Sequence, residues 1–300
     1  MRFKLFFPSI ILLFTLITVD LFAQDSTETS DTWDWNWEWK WEKNEFNEWL
    51  NFGKEDPTIS ISYGLAELEH KNISDEFGKA GIIELKLGYT NEKTPEDSGY
   101  IFKYRYRYLY ITNISQDLQG SLLKQSELDT KSWKLGFSRS EGYGYRFDSI
   151  EITPYFTYSL DWTRLNFRND ATNNADQEII NRFDKSFRFG TGNEAGIRFK
   201  ISSLLSFDAG YERATIFERH LFWKWAGSSL IEITSHVVMN TFIRRIFDSS
   251  PVAGPIVYLV LKSALGYGLY ELRQEKMNWP FSSAAPLSIN SFKFGMTFTF

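Results

Sequence analysis

The last ten residues, Ser291 to Phe300, read SFKFGMTFTF. Large apolar side chains occupy every second position, and small or charged residues stand between them. Because successive side chains of a β-strand point to opposite faces, this period of two predicts a strand with one continuous, mostly aromatic face. The residues of that face are Phe292, Phe294, Met296, Phe298 and Phe300.

The same period of two continues upstream from Pro57 to Phe217 and predicts seven further strands. An even count of eight strands would return both ends of the sheet to the same side. The predicted strands are Thr58–Glu67, Ile82–Thr90, Tyr100–Tyr110, Ser132–Ser138, Ile150–Phe167, Asn193–Ile201, Ser206–Phe217 and Ser288–Phe300.

The connections between these strands alternate in length. Long ones cover residues 68–81, 111–131, 168–192 and 218–287, whereas short ones cover residues 91–98, 139–149 and 202–205. Short periplasmic turns opposite long outer loops are typical of outer-membrane barrels. The pattern therefore predicts an all-β transmembrane barrel of about eight antiparallel strands, spanning residues 57–300.

The third predicted strand combines an aromatic row with a basic row. In a barrel, the tyrosines between Tyr100 and Tyr110 would face lipid, and Lys103, Arg105 and Arg107 would line the lumen. An anion-attracting pore is the functional alternative, although an eight-stranded barrel is narrow. The carboxylates expected to neutralise the basic row are those of Glu84, Asp161 and Glu212.

Two segments precede the barrel. Residues 1–23 resemble a secretory signal for Sec-type export, with cleavage near Ala23, and a membrane anchor is the alternative. Residues 24–56 are predicted to form a periplasmic segment that anchors at the headgroup layer, contacts the cell wall, adds a strand to a partner or packs on the barrel rim. Its tryptophans are Trp33, Trp35, Trp37, Trp39 and Trp41.

A helical insertion delays the last strand. Residues 218–247 and 252–276 carry the spacing of two helices, and together they form an insertion at 218–276. Lys224, Glu232, His236 and Lys262 interrupt them, so neither is predicted to span a membrane. Strand parity places the insertion on the extracellular side, where its apolar faces would bury against each other, on the rim or in the outer leaflet.

These features together resemble the bacterial outer-membrane β-barrel superfamily of the eight-stranded type. The resemblance implies a location in the bacterial outer membrane, contact with outer-membrane lipid and folding by the barrel-assembly machinery. The final Phe300, with Phe298 two positions earlier, is similar to the signal that this machinery reads. That superfamily includes porins, adhesins, lipases and structural barrels, so the resemblance does not specify an activity.

The insertion also carries the candidate catalytic residues. Ser229, Glu232 and His236 share one helix face, with the group types used for acyl hydrolysis, although residues of one helix rarely converge on one atom. Buried or interhelical hydrogen bonding is the simpler interpretation. Arg244 and Arg245 suit a helix C-terminus or lipid phosphates.

Composition limits the remaining functions. The formal charge of −5 argues against nucleic acid as a partner, and the lack of cysteine excludes disulfides and lipidation. We expect no metal and no cofactor, and His70 is expected to be solvated. The leading hypothesis is a structural, adhesion or envelope-interaction barrel. The alternatives are an acyl hydrolase acting on lipid A or phospholipid, and a small-solute channel.

Overall fold

The computed structural model describes residues 55–94, 100–118, 128–148, 150–168 and 171–300. Eight antiparallel strands within these ranges form a closed barrel in which each strand pairs with its neighbours in the chain and β8 pairs with β1. The prediction of eight antiparallel strands with a two-helix insertion before the last one is confirmed. The strands are β1 (Asp56–Glu69), β2 (Ala80–Lys93), β3 (Ile101–Ser115), β4 (Lys131–Phe147), β5 (Ile150–Arg164), β6 (Phe187–Lys200), β7 (Leu205–Ile216) and β8 (Leu287–Thr299).

The two ends of the barrel differ. The short connections, β2 to β3, β4 to β5 and β6 to β7, join strands at the same end as the start of β1 and the end of β8. We call this the terminus end. The long connections, β1 to β2, β3 to β4, β5 to β6 and β7 to β8, join strands at the opposite end, which we call the loop end.

Several strands are longer than the alternation of large residues predicts. β6, for example, begins at Phe187, six residues before the predicted start, and includes Gly190 and Gly192. A Cβ atom on Gly190 would lie 2.6 Å from Oδ1 of Asp161 on the neighbouring strand. Small residues therefore occur here because the crowded interior has no room for a side chain, and they hide the period of two.

The interior corrects the expected orientation of β3. Tyr104 and Tyr110 are buried inside the barrel, whereas Leu109 faces outward and is 63% exposed. Lys103, Arg105 and Arg107 lie on the same outward face as Leu109, so the prediction that they line the lumen is wrong. The physical reason is that an eight-stranded barrel must fill its interior with side chains, and large tyrosines do this while their hydroxyls find polar partners there.

Charged side chains fill the rest of the interior. Nζ of Lys293 lies 2.9 Å from Oε1 of Glu84, 2.6 Å from Oε2 of Glu194 and 3.0 Å from Oε2 of Glu212. Nζ of Lys134 lies 2.5 Å from Oε1 of Glu212. Glu84 and Glu212, two of the carboxylates expected to neutralise the β3 cations, therefore pair instead with interior lysines. Asp161, the third, accepts a hydrogen bond from the hydroxyl of Tyr110 at 3.2 Å.

A hydrophobic plug closes the interior at the loop end. It is formed by strand ends and by loops that include a short helix, α1 (Asn174–Asn181). His70 packs beside it with its ring centroid 5.9 Å from that of Phe183, and is 7% exposed. The expectation of a solvated His70 is therefore wrong. Among the plug residues are Leu68, Ile82, Ile114, Leu165, Phe183 and Leu287.

The insertion between β7 and β8 forms two helices, α2 (Phe222–Ser249) and α3 (Gly254–Glu275), which we call the helical hairpin. α2 starts at the loop end, where Trp225 packs edge-on against Phe189 of β6. It ends near the terminus end, where the ring centroid of Phe247 lies 4.3 Å from that of Tyr143 of β4. α3 returns to the loop end along the outside of the barrel.

By length and composition, Pro251–Glu275 is the one helical segment among the described residues that could cross a membrane. This differs from the expectation that neither helix could span one. The interrupting charge, Lys262, is only 3% exposed. It therefore points to the barrel and leaves the outer face of α3 apolar from Ile256 to Gly268, ahead of the exposed Glu271 and Glu275.

Candidate functional site

A row of polar side chains crosses the outer wall of the barrel. Its members are cross-strand neighbours in register, and all of them point outward. Because barrel strands tilt, typically by about 35–45°, a row that follows the hydrogen bonds climbs from one end to the other. From β3 round to β1 this outer polar row contains Arg107, Arg139, Tyr158, Asn193, Arg213, Asn290 and Glu67.

The helical hairpin lies over the middle of this row. The hydroxyl of Tyr158 lies 2.7 Å from Nδ1 of His236 on α2. The hydroxyl of Tyr270 on α3 donates to Oδ1 of Asn290 at 3.0 Å. Polar groups that apolar surroundings would otherwise leave unpaired are thus bonded to the hairpin.

A glycine lets α3 approach the wall closely. A Cβ atom on Gly266 would lie 2.8 Å from the ring of Phe156 on β5 and 3.5 Å from Cγ of Asn193 on β6. Nothing lies within 4 Å of the corresponding position on Gly268, which is exposed. The contact side of α3 is therefore fixed by the placement of one small residue.

His236 is the centre of a buried polar cluster under the hairpin. Its Nδ1 lies 3.5 Å from Nζ of Lys262, which is also 3.5 Å from the hydroxyl of Tyr158. The ring packs edge-on against that of Tyr158, with centroids 4.8 Å apart. Nε2 of His236 is buried without a hydrogen-bond partner among the described residues.

The predicted catalytic residues do not form a triad. Oε2 of Glu232 accepts a hydrogen bond from Nη2 of Arg273 on α3 at 2.7 Å, and Ser228, not Ser229, lies 3.3 Å from the same nitrogen. Glu232 therefore connects α2 to α3, whereas His236 connects α2 to the barrel. Ser229 shares no hydrogen bond with either group among the described residues.

The outward cations of β3 have acidic partners on the wall. Nε of Arg105 lies 3.2 Å from Oε1 of Glu141 on β4, and Arg139 forms an ion pair with the same carboxylate. Arg107 forms an ion pair with Glu55, just before β1. This polar surface adjoins the end of the outer polar row that lies on β3 and β4.

Other predicted residues lie elsewhere. Arg244 and Arg245 lie near the end of α2, close to the terminus end. Their contact with lipid phosphates stays a prediction. Phe298 lies on the outer face of β8, and the backbone amide of Phe300 donates to the carbonyl oxygen of Pro57 at 2.9 Å. Residues 1–54, with the predicted signal and Trp33, Trp35, Trp37, Trp39 and Trp41, lie outside the described residues.

Sequence reasoning missed the outer polar row. Its signal is the occurrence of Arg139, Tyr158, Asn193 and Arg213 at strand positions whose neighbours two residues away are largely apolar or aromatic. These polar positions form a row only when neighbouring strands are placed in register, and the sequence of a single strand does not reveal that register. Within the described ranges, no group of three or more His, Asp or Glu residues is arranged to hold a metal ion.

The fold and the covered row define a class: closed eight-stranded antiparallel barrels, here with a helical hairpin packed on the outer wall. No family model matches the chain, and no curated protein matches it. Solved structures similar in topology include Neisserial surface protein A (10% identity, 81% of this chain and 97% of that one, TM-score 0.39). Others are the attachment invasion locus protein Ail of Yersinia pestis (10%, 83% and 100%, 0.32) and the outer membrane protein OprG of Pseudomonas aeruginosa (11%, 83% and 98%, 0.24). Likeness at these TM-scores carries no argument about activity.

Proposed function

We propose that this chain is an integral outer-membrane β-barrel with a sealed interior, and that it serves envelope structure, adhesion or interaction through its long loops and helical hairpin. The observation that carries the proposal is the apolar outer wall. Water disfavours a large contiguous apolar surface on a closed barrel, whereas lipid accommodates it. Outward residues that are 38–63% exposed include Ile59, Ile61, Leu85, Leu87, Leu109 and Ile111.

The hairpin fits the same surroundings. Between its ends, most outward side chains of the hairpin are apolar and exposed, whereas the buried His236 and Lys262 face the barrel. Exposed charges such as Lys224, Arg245 and Glu271 lie toward the ends of the two helices. Lipid would therefore cover both the bare wall and the outer face of the hairpin. The exposed apolar residues of the hairpin include Ile233, Val238, Phe242, Ile256 and Val260.

The interior supports a non-channel role. Two internal cavities, one beside Lys293 and one beside Arg198, have volumes of about 10 Å³ each. A volume of this size holds about one water molecule. Together with the hydrophobic plug at the loop end, the packed interior favours a barrel that does not conduct solutes.

Fractionation and gel migration test the proposal. We expect the full chain in the outer-membrane fraction, with faster migration before boiling than after, because a closed barrel resists detergent unfolding. In planar bilayers, the purified protein should give no stable conductance steps. Recovery from the soluble fraction with unchanged migration would contradict the membrane assignment, and reproducible conductance steps would contradict the sealed interior.

A second candidate is the lipid A or phospholipid acyl hydrolase. The unpartnered Nε2 of His236 supports it, since a buried imidazole nitrogen is available for proton transfer. The bonding of Glu232 to Arg273 weighs against it. Under this candidate, His236→Ala would abolish the release of fatty acid from radiolabelled envelope lipids, and wild-type protein that leaves those lipids intact rules it out.

A further inference from the structure

A groove of about 1090 Å³ opens between α3 and the outer wall at the loop end, where the outer polar row reaches β7 and β8. Its walls are rich in aromatic rings and in side chains that can donate hydrogen bonds. Residues of the groove that matter below are Tyr211, Arg213, Tyr267, Tyr270, Trp279 and Asn290.

Arg213 is the cation at the centre of this groove. Its guanidinium carbon lies 4.7 Å from the ring centroids of both Tyr211 and Tyr267, and 5.8 Å from that of Tyr270. Contact with ring faces holds the guanidinium in place but leaves its N–H donors available. Among the described residues, no carboxylate lies within ion-pair distance of Arg213.

Two of the three carboxylates that line the groove have partners. Oε2 of Glu69 accepts a hydrogen bond from Nδ2 of Asn290 at 3.1 Å, and Glu275 forms an ion pair with Lys71. The third, Glu271, is exposed to water, which screens its charge. Arg213 is therefore the cation that the aromatic rings of the groove hold in place.

We propose that this groove binds the phosphate group of an anionic amphiphile, with Arg213 donating to the phosphate oxygens and the tyrosines and Trp279 contacting the rest of the headgroup. Arginine binds phosphate with two parallel hydrogen bonds, which suits a guanidinium that rings hold in place without an ion pair. The assignment rests on the proposed membrane location, because the groove lies beside the apolar wall at its loop end, where lipid headgroups would lie. Inorganic phosphate offers the same oxygens to Arg213 but has no lipid part, so it distinguishes a phosphate site from a lipid site.

Native mass spectrometry and Trp fluorescence of the full chain in maltoside micelles test the assignment. The probes are diphosphorylated lipid A, the same lipid with its phosphates removed, and inorganic phosphate. We expect diphosphorylated lipid A to bind at least about tenfold more tightly than either other probe, the size of a charge-assisted hydrogen bond. Equal binding of the dephosphorylated lipid would overturn the claim that the groove recognises phosphate. Equal binding of inorganic phosphate would overturn the claim that it recognises an amphiphile.

Two variants localise the effect. Arg213→Gln should weaken binding of diphosphorylated lipid A about tenfold or more, and Tyr267→Leu should weaken it less, because it removes one ring over the guanidinium. Arg164→Gln is the matched control, since Arg164 is an exposed outward arginine at the loop end of β5, outside the groove. Unchanged binding by Arg213→Gln, or equal weakening by Arg164→Gln, overturns the proposal.

Heat-modifiable migration of each variant separates this proposal from the proposed function. A variant that keeps the folded barrel and loses binding supports the groove. Wild-type protein that forms the barrel but fails to bind diphosphorylated lipid A overturns the groove and leaves the membrane assignment standing.

Discussion

The bare and the covered parts of the outer wall follow different rules. On β1 to β3, outward positions toward the middle of the wall carry side chains such as Ile61, Leu85 and Leu109, and nothing in the described structure covers them. Along the outer polar row, outward positions carry Tyr158 and Asn193, and the helical hairpin lies over them. Tyr158 and Asn193 are outward polar residues that the chain itself covers, so the middle of the row and the hairpin form one unit.

This difference explains why the closing strand comes so late in the chain. The hairpin leaves the barrel at the loop end after β7, crosses the wall twice and returns to the loop end before β8. Gln274 at the end of α3 then donates to the hydroxyl of Ser288 on β8 at 2.9 Å. The insertion therefore ends at the position from which the last strand must start.

The largest expected effect comes from placing a charge on the bare wall. Leu109→Arg should destabilise the barrel by about 2–4 kcal/mol, because an arginine near the bilayer midplane must be pulled out of water. Urea unfolding in lipid vesicles measures the change. Leu109→Phe is the control and should stay within about 1 kcal/mol of wild type. A loss below about 0.5 kcal/mol for Leu109→Arg would mean that this wall does not face lipid.

A smaller effect is expected from forcing the hairpin off the wall. Gly266→Leu inserts a side chain where a Cβ atom alone would meet Phe156 at 2.8 Å, and overpacking of this kind costs about 1–3 kcal/mol. Gly268→Leu, on the open side of the same helix, should be neutral or stabilising because it replaces a helical glycine. The rate of protease cleavage within the hairpin and the midpoint of urea unfolding are measured for both variants. Equal values for Gly266→Leu and Gly268→Leu would contradict the contact between Gly266 and the barrel wall.

Removing one hydrogen bond under the hairpin should have a still smaller effect. Tyr158→Phe deletes the hydroxyl that bonds His236, with an expected loss of about 0.5–2 kcal/mol. Tyr89→Phe is the matched control, because Tyr89 is an outward tyrosine of β2 that is 50% exposed on the bare wall. If the two variants lose the same free energy of unfolding in urea, the hydrogen bond between Tyr158 and His236 does not stabilise the protein.

The smallest effect concerns pH at the hydrophobic plug. Burial lowers the pKa of His70, and the neutral ring accepts a hydrogen bond from the backbone amide of Asn72 at Nδ1, 3.2 Å away. Because the folded state binds fewer protons, this contribution is complete above about pH 6.5 and declines as the pH falls through the lowered pKa. His70→Gln should remove that part of the pH dependence from the urea midpoint, and an unchanged profile would contradict the assignment.

The sequence predicts the strand count, the end at which loops are long and the two helices, because each depends on local periodicity. It does not predict which face of β3 points inward. Tyrosine suits lipid and a packed interior equally well, and the choice depends on Glu84, Glu194 and Glu212 being supplied by other strands to pair with interior lysines. The groove at Arg213 is equally non-local, since it joins residues of β7 and α3.

The position of α3 on the outer wall is tested most directly by a disulfide. The chain has no cysteine, so Asn193→Cys with Gly266→Cys introduces a single pair, at a site where the Cβ atom of residue 266 would lie 3.5 Å from Cγ of Asn193. That proximity suits a disulfide. The new Cβ atom would also lie 2.8 Å from the ring of Phe156, so this pair and its Gly268 counterpart are both made together with Phe156→Ala, which gives that atom room. Mild oxidation of the folded protein should cross-link this pair and leave Asn193→Cys with Gly268→Cys reduced. Equal cross-linking of both pairs, or of neither, would contradict the covered wall.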